Sequence, residues 1–359
     1  MASVRNSADG DKVLPAENQE NKIPGKKLAS KNPEDKTEAG KMEESMSSDD
    51  KLKVYTELFQ QGETWLYRNG RYLDVARWNC HFHKADPNEV LRALKVYQNL
   101  DGGFGHRLEA DIQSPASTPI ATWSALRILR ELQFPAEAMD LIRGCFQYLD
   151  TTGDFNGKLW TASGRGVAEA PHAPWWNYSE ANAGFGFNPT AEFLGLIFRF
   201  DEAGSALRSK AEGIFREMIQ EVYKTPYKMS DHELSCFVML DKDLRTAGQG
   251  DSLPSGFSAF LAETVDRVLS RDQGSYSPDN YYTSPDFYID SPASPYYRNN
   301  AAICRDYAQY LIHSFHPEGY WPLNWTWGVE PVPPDSKRDW QGNKLVNNML
   351  YLKNIYLES

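Results

Sequence analysis

From about position 52 onward, apolar residues recur with helical spacing, and two kinds of helix alternate along the chain. One kind carries a single apolar stripe. Val90-Leu91-Arg92-Ala93-Leu94-Lys95-Val96-Tyr97 is an example, and it predicts a helix with one face to solvent. The other kind is apolar almost all round, as in Ala191-Glu192-Phe193-Leu194-Gly195-Leu196-Ile197-Phe198, and predicts a helix covered on both sides. Start signals precede several of these. Thr118-Pro119 and Asn188-Pro189 set a capping side chain ahead of a proline at the first helical position, and Ser230-x-x-Glu233 has capping-box spacing. Pairing the segments gives about six hairpins, near 52–84, 87–132, 136–201, 204–243, 255–297 and 300–357. The fifth is expected to be irregular in its second half, where Pro278, Pro285, Pro292 and Pro295 interrupt a Tyr-Ser-Asp-rich stretch. Alternating one-faced and two-faced helices suit two concentric rings, so the expected fold is all-α, an (α/α)6 toroid in one domain over 51–359.

A glycine-aromatic turn recurs between helices. It appears as Gln98…Gly102-Gly103-Phe104, Gln147…Gly153-Asp154-Phe155, Gln273-Gly274-Ser275-Tyr276 and His313…Gly319-Tyr320-Trp321. Composition adds a boundary. All 46 aromatics (10 Trp, 19 Tyr, 17 Phe) lie at or after Tyr55, whereas the first fifty residues hold 11 acidic and 8 basic side chains. Such a segment buries too little apolar surface to offset its chain entropy, so residues 1–50 are expected to be a disordered polar tail. The tail lacks the apolar stretch of a secretory peptide and is too acidic for a typical transit peptide, which makes the cytosol the expected compartment. No apolar run approaches the roughly 20 residues of a membrane span. The net charge of −11, with no basic cluster larger than Lys26-Lys27, argues against nucleic acid as a partner. Cys80, Cys145, Cys236 and Cys304 are too dispersed for a disulfide framework or a structural zinc site, and no metal or cofactor is expected.

The Gln98…Gly102-Gly103-Phe104 and Gly319-Tyr320-Trp321 turns resemble the Gln-Trp repeats of the terpenoid cyclase and protein prenyltransferase superfamily, whose members are α/α toroids. The resemblance extends over about 52–357, with Phe104 and Phe155 where the motif prefers Trp. The stretch Asp101-Gly-Gly-Phe-Gly-His-Arg-Leu-Glu-Ala-Asp111, with Pro171-His172-Ala-Pro-Trp175-Trp176 and Trp325-Thr-Trp327-Gly328, is similar to small single-domain relatives of unassigned activity. The family's Asp-x-Asp-Asp acid, its zinc ligands and its aspartate-rich magnesium motif have no counterpart here. The resemblance therefore implies a central pocket without the family's catalytic machinery.

Candidate chemistry falls in four places. Glu109 and Asp111 precede the helix starting near Thr118, where mutual repulsion or burial would make one carboxyl a proton donor; hydrogen bonding within a plain loop is the competing reading. His106 stands three residues before Glu109 and either orients a carboxylate or caps a turn. His172, Trp175 and Trp176 lie in a long loop that forms either a pocket lid or an apolar plug. His232 adjoins Glu233, which the capping box already explains, and Trp325 and Trp327 share a side if their segment is extended, while Trp321 is expected to hold helices together. Tyr281, Tyr282, Tyr288, Tyr296 and Tyr297 would form a second wall of the pocket mouth. The sequence thus points to a metal-independent cyclase or isomerase of specialised metabolism that folds a hydrophobic, polyene-like molecule, by protonation or by templated pericyclic closure. A carbohydrate-active lyase or hydrolase and a non-catalytic lipid-binding toroid are the alternatives.

Overall fold

Several helices start where a short polar side chain, Asp86, Thr118, Ser205 or Ser230, accepts from one of their first amide groups. The computed structural model describes residues 46–223, 229–328, 332–333 and 335–358, and among these it has eleven α-helices and no β-strand. They are α1 (Ser48–Asn69), α2 (Tyr72–His83), α3 (Pro87–Lys95), α4 (Pro119–Glu131), α5 (Met139–Thr151), α6 (Thr190–Phe200), α7 (Ala206–Val222), α8 (Asp231–Thr246), α9 (Phe257–Asp272), α10 (Tyr297–Ser314) and α11 (Ser336–Tyr351). Thr118 caps α4 by accepting from the Ala121 amide at 3.1 Å, with Pro119 at the first helical position. Ser230 and Glu233 form the full capping box of α8. Asn188 departs from expectation: the Asn188–Pro189 peptide is cis, no side chain caps α6, and Asn188 Oδ1 accepts from Cys236 Sγ.

Along the chain the helices fall in the expected segments, and the fifth unit has only a 3₁₀ turn, Pro285–Phe287, in place of a second helix. The expected tail falls mostly outside the described residues; its last three residues, 48–50, already belong to α1. α6 is buried continuously from Thr190 to Phe198 and packs between α7 and α8, as its all-round apolar pattern requires. Neighbours continue through α8, α9 and α10, and α11 packs on α1 and α2. Among the described residues no helix is long and apolar enough to cross a membrane.

The glycine-aromatic turns fasten successive units. Gly102 has φ +87° and lies so close to Gly144 that a Cβ would overlap its carbonyl. Two turns share an anchor. Trp321 Nε1 donates to Leu311 O at 2.9 Å, and Trp160 Nε1 donates to Leu149 O at 2.8 Å. In the third unit the anchoring aromatic is therefore Trp160, which pairs in an isolated bridge with Phe155, the residue the motif singles out.

Charges inside the molecule are matched across helices. Glu192 and Asp243, neither with exposed surface, converge on α4 and α6 arginines: Glu192 accepts from Arg127 at 2.8 Å and Arg130 at 3.1 Å, and Asp243 from Arg130 at 2.6 Å and Arg199 at 3.1 Å. On α2, Arg77 bonds Asp74 at 3.3 Å, Glu131 at 2.6 Å and Asn347 of α11 at 2.6 Å. Burial by itself would raise the pKa of Glu131, but Arg77 and His81 overcome it and bring it down to about 2.

Removing one partner of such a set strands the others in low dielectric. Asp243→Ala is expected to lower the stability of the fold by roughly 3–5 kcal/mol, read from the shift in the urea unfolding midpoint. A loss below about 1 kcal/mol would show that Arg130 and Arg199 find other partners.

Candidate functional site

The segment joining α3 to α4 carries Glu109 and Asp111 and is pinned from three sides through its backbone. Arg71, just before α2, donates to Leu108 O at 3.2 Å, Ser336 Oγ at the start of α11 donates to Ala110 O at 2.6 Å, and the Ala173 amide donates to Asp111 O at 2.9 Å. These bonds hold Leu108, Ala110 and Ile112 in the interior and carry the two carboxyls with them.

Glu109 is buried without adequate partners. Its Oε2 lies 3.5 Å from Ser124 Oγ, at the limit of a hydrogen bond, and its Oε1 has none. Burial, reinforced by the charge of Asp111, pushes its pKa up to about 8, so the carboxyl is predominantly protonated at neutral pH. Asp111 is differently held. Burial raises its pKa too, but the Trp327 indole donates to its Oδ1 at 2.8 Å and opposes the shift.

From this acid pair, neighbouring side chains trace a circuit. Trp340 lies beside Asp111 and meets Trp325 edge to face at 5.5 Å, and the Lys344 ammonium sits 5.5 Å from the Trp325 ring centre. Asp286 acts on Lys344 through its field, and Phe287 follows Asp286 in the chain and packs its ring 5.2 Å from that of His232. His232 shares a 2.7 Å hydrogen bond with Tyr281 and lies one helical turn before Ser235, whose hydroxyl accepts from Arg127 at 3.2 Å. Arg127 stacks over Trp123 at 4.7 Å, and Trp123 adjoins Ser124 beneath Glu109. His232, Tyr281 and Asp286 keep exposed surface and Lys344 is half-buried, although neighbouring protein crowds each of them. Burial lowers the pKa of His232 and Lys344 and raises that of Asp286, and it pushes the Tyr281 hydroxyl up to about 12. Every shift favours the uncharged form.

A second apolar cluster covers this end. Ile112, Ile120, Ala162, Val167, Ala173, Trp176 and Trp327 pack together, and Trp176 stacks on Phe185 at 5.2 Å. Trp176 thus belongs to a plug, while Trp175 beside it is exposed. His172 has both ring nitrogens engaged inside the same loop, with Ala170 O at 2.7 Å and Asn177 at 2.9 Å. His106 is exposed and bonded to Asn99 at 2.8 Å, where it secures a turn and does not orient Glu109. Of the residues singled out in the sequence, Glu109, Asp111 and Trp327 are buried, with Trp327 bonded to Asp111; Trp325 is reached from Asp111 through Trp340 and His232 from Glu109 through Ser124, Trp123, Arg127 and Ser235, while His106 and His172 are bonded within their own segments and Trp175 is exposed. Sequence reasoning missed Arg127, Asp286, Trp340 and Lys344. Trp340 and Lys344 are one turn apart on α11, a spacing that would have shown them on one face.

A surface concavity of about 670 Å³, between α1 and Pro317-Glu318, has none of these convergent acids and aromatics, so the interior is the candidate site. No protein-family model, no curated protein and no solved structure matches this chain.

A carboxyl whose pKa is raised by folding favours the native state while protonated and loses that advantage as pH rises through the folded value. Wild type should therefore lose stability relative to Glu109→Gln between about pH 4.5 and 8, by at most about 1.4 kcal/mol per pH unit, and by no more above that window. Melting temperatures of both proteins at pH 5, 7 and 9 check this; a constant difference would mean Glu109 is ionised in the fold.

Proposed function

We propose that this protein is a metal-independent cyclase or isomerase built on an α/α toroid, which takes a hydrophobic, polyene-like small molecule into the interior space and transfers a proton to it from Glu109. The toroid reading draws support from the paired helices and from the return of α11 onto α1 and α2. The observation that carries the chemistry is a buried carboxyl, neutral at physiological pH, with one oxygen unbonded and tryptophans nearby.

In this reading an alkene of the substrate takes the Glu109 proton with its π electrons and becomes a carbocation. The carboxylate left behind is stabilised by the nearby charge of Arg71, which already acts to lower the Glu109 pKa. Trp123, Trp325 and Trp340 offer ring faces to the cation, each contributing roughly 0.5–2 kcal/mol. After ring closure or rearrangement a neighbouring C–H loses its proton to His232, which burial keeps neutral. The product is an isomer of the substrate.

The test begins with native mass spectrometry and melting shifts against linear terpenoids, conjugated polyenes and oligosaccharides. Polyenes or terpenoids should bind, and product formed in D2O should gain one deuterium at unchanged skeleton mass. Glu109→Gln should slow turnover by roughly 10²–10⁴-fold, and the wild-type rate should fall as pH rises past about 8. Stabilisation by sugars alone would favour a carbohydrate-active enzyme, and full activity in Glu109→Gln would leave templated ring closure as the mechanism.

A further inference from the structure

The loop 106–114, which carries Glu109 and Asp111, is closed at its neck and fastened at its outer edge. At the neck the His106 amide donates to Ser114 O at 3.1 Å, so the two ends of the loop meet. At the edge Arg107 reaches the start of α11, where its guanidinium lies 3.1 Å from Asp335 Oδ2 and 2.9 Å from Asp339 Oδ2. Both sides of this contact are in left-handed backbone: φ is +53° at His106, +69° at Arg107 and +64° at Asp335. His and Asp tolerate that region better than most residues, but Arg does not, so Arg107 is held there by what it contacts. Asp335 is diverted as well. It stands at the N-cap of α11, yet its carboxylate caps none of the helix amides and is shared by Arg107 and Arg338, the latter at 2.6 Å. The contact is open on one side and buried on the other: the Arg107 side chain is 31% exposed and that of Asp335 40%, against 2% for Asp339.

We infer that Arg107 is the latch of a lid: when its pairs with Asp335 and Asp339 break, the loop 106–114 swings on its His106–Ser114 neck and brings Glu109 and Asp111 into contact with solvent. In the closed state Glu109 is 5% exposed and Asp111 2%, so nothing from outside reaches either carboxyl. Arg107 stands two positions before Glu109, and a movement that frees the one displaces the other. Release is offset at both ends of the latch. Arg107 can leave the left-handed region, and Asp335 can turn to the unbonded first amides of its own helix. The loop's inner fastenings, from Ser336 Oγ and the Ala173 amide, are hydrogen bonds to main-chain carbonyls that water can replace. The latch differs from them because it is a charge pair with an exposed side, and salt therefore weakens it. The inference concerns access alone, and it holds whether or not Glu109 passes a proton to a substrate.

The experiment labels the carboxyls of the intact chain with a water-soluble carbodiimide and glycine ethyl ester at mildly acidic pH, and reads each site by peptide mass spectrometry. Glu192, with no exposed surface and two arginine partners, reports any opening of the whole fold. In the wild-type protein, raising sodium chloride from about 0.01 M to about 1 M shortens the screening length from roughly 30 Å to roughly 3 Å and should speed labelling of Glu109 several-fold with Glu192 unchanged. Arg107→Gln should speed it roughly ten-fold at low salt, because it also strands the buried Asp339, and should abolish the response to salt. Asp335→Asn keeps a residue suited to left-handed backbone and leaves Asp339 to hold Arg107, so its rate should fall between the two. A wild-type Glu109 rate indifferent to salt, an Arg107→Gln rate equal to wild type, or Glu109 and Glu192 rates that rise together each overturns the proposal. Because the salt comparison is made on the wild-type protein, it does not depend on the folding of a variant.

Discussion

Glu192 on α6 and Asp243 on α8 have no exposed surface, and both are neutralised through Arg130 of α4, with Arg127 and Arg199 completing the set. Arg130 lies 62 positions from one carboxylate and 113 from the other, so three helices far apart in the chain must meet at one guanidinium. A planar fork of donors suits that task because it satisfies two acids with directional bonds. Hydrophobic burial alone would let such helices slide past one another. Paired interior charges admit one register, since any slip strands an ion.

The same set reaches the candidate site. Glu192 also accepts from the Trp123 indole at 2.7 Å, and Arg127 stacks on that ring, so one inward-facing aromatic is held by two charged groups. The contrast with Glu109 is instructive. Both are buried glutamates, yet Glu192 has two guanidiniums and an indole in contact, whereas Glu109 has one marginal hydroxyl. The two glutamates thus differ in partners: one is fully matched, the other is left with an unbonded oxygen.

Much of the fold was legible because helical periodicity and capping chemistry are local. The hairpin boundaries, the proline-broken fifth unit and the caps at Thr118 and Ser230 all follow from short stretches of sequence. Asn188 is not a cap: its side-chain oxygen accepts from Cys236, 48 positions away, a long-range contact that no local pattern encodes. Trp160 was passed over because the repeat places its aromatic at Phe155, five positions earlier in the same turn. Burial of the acids at Glu109 and Asp111, and the bond from Trp327 to Asp111, lie where the sequence crowds acids and aromatics into loops. Arg127 and Lys344 were not legible, because a polar position on a helix does not by itself say what it packs against, and Asp286 lies in the short Pro285–Phe287 turn, where periodicity says nothing. His106 and His172 show the opposite error: a histidine in an interesting segment found its hydrogen bonds in the turn that carries it.

The packing of α11 on α1 and α2 bears on how the chain is made. Among the described residues, α1 and α2 receive part of their cover from α11, so that cover is missing until a helix far downstream has been synthesised. Closure is then a contact of very long sequence separation, the kind that slows folding. A chain that stops short of α11 would leave α1 and α2 uncovered on that side and would lack Trp340, and would be a natural substrate for chaperones or proteases.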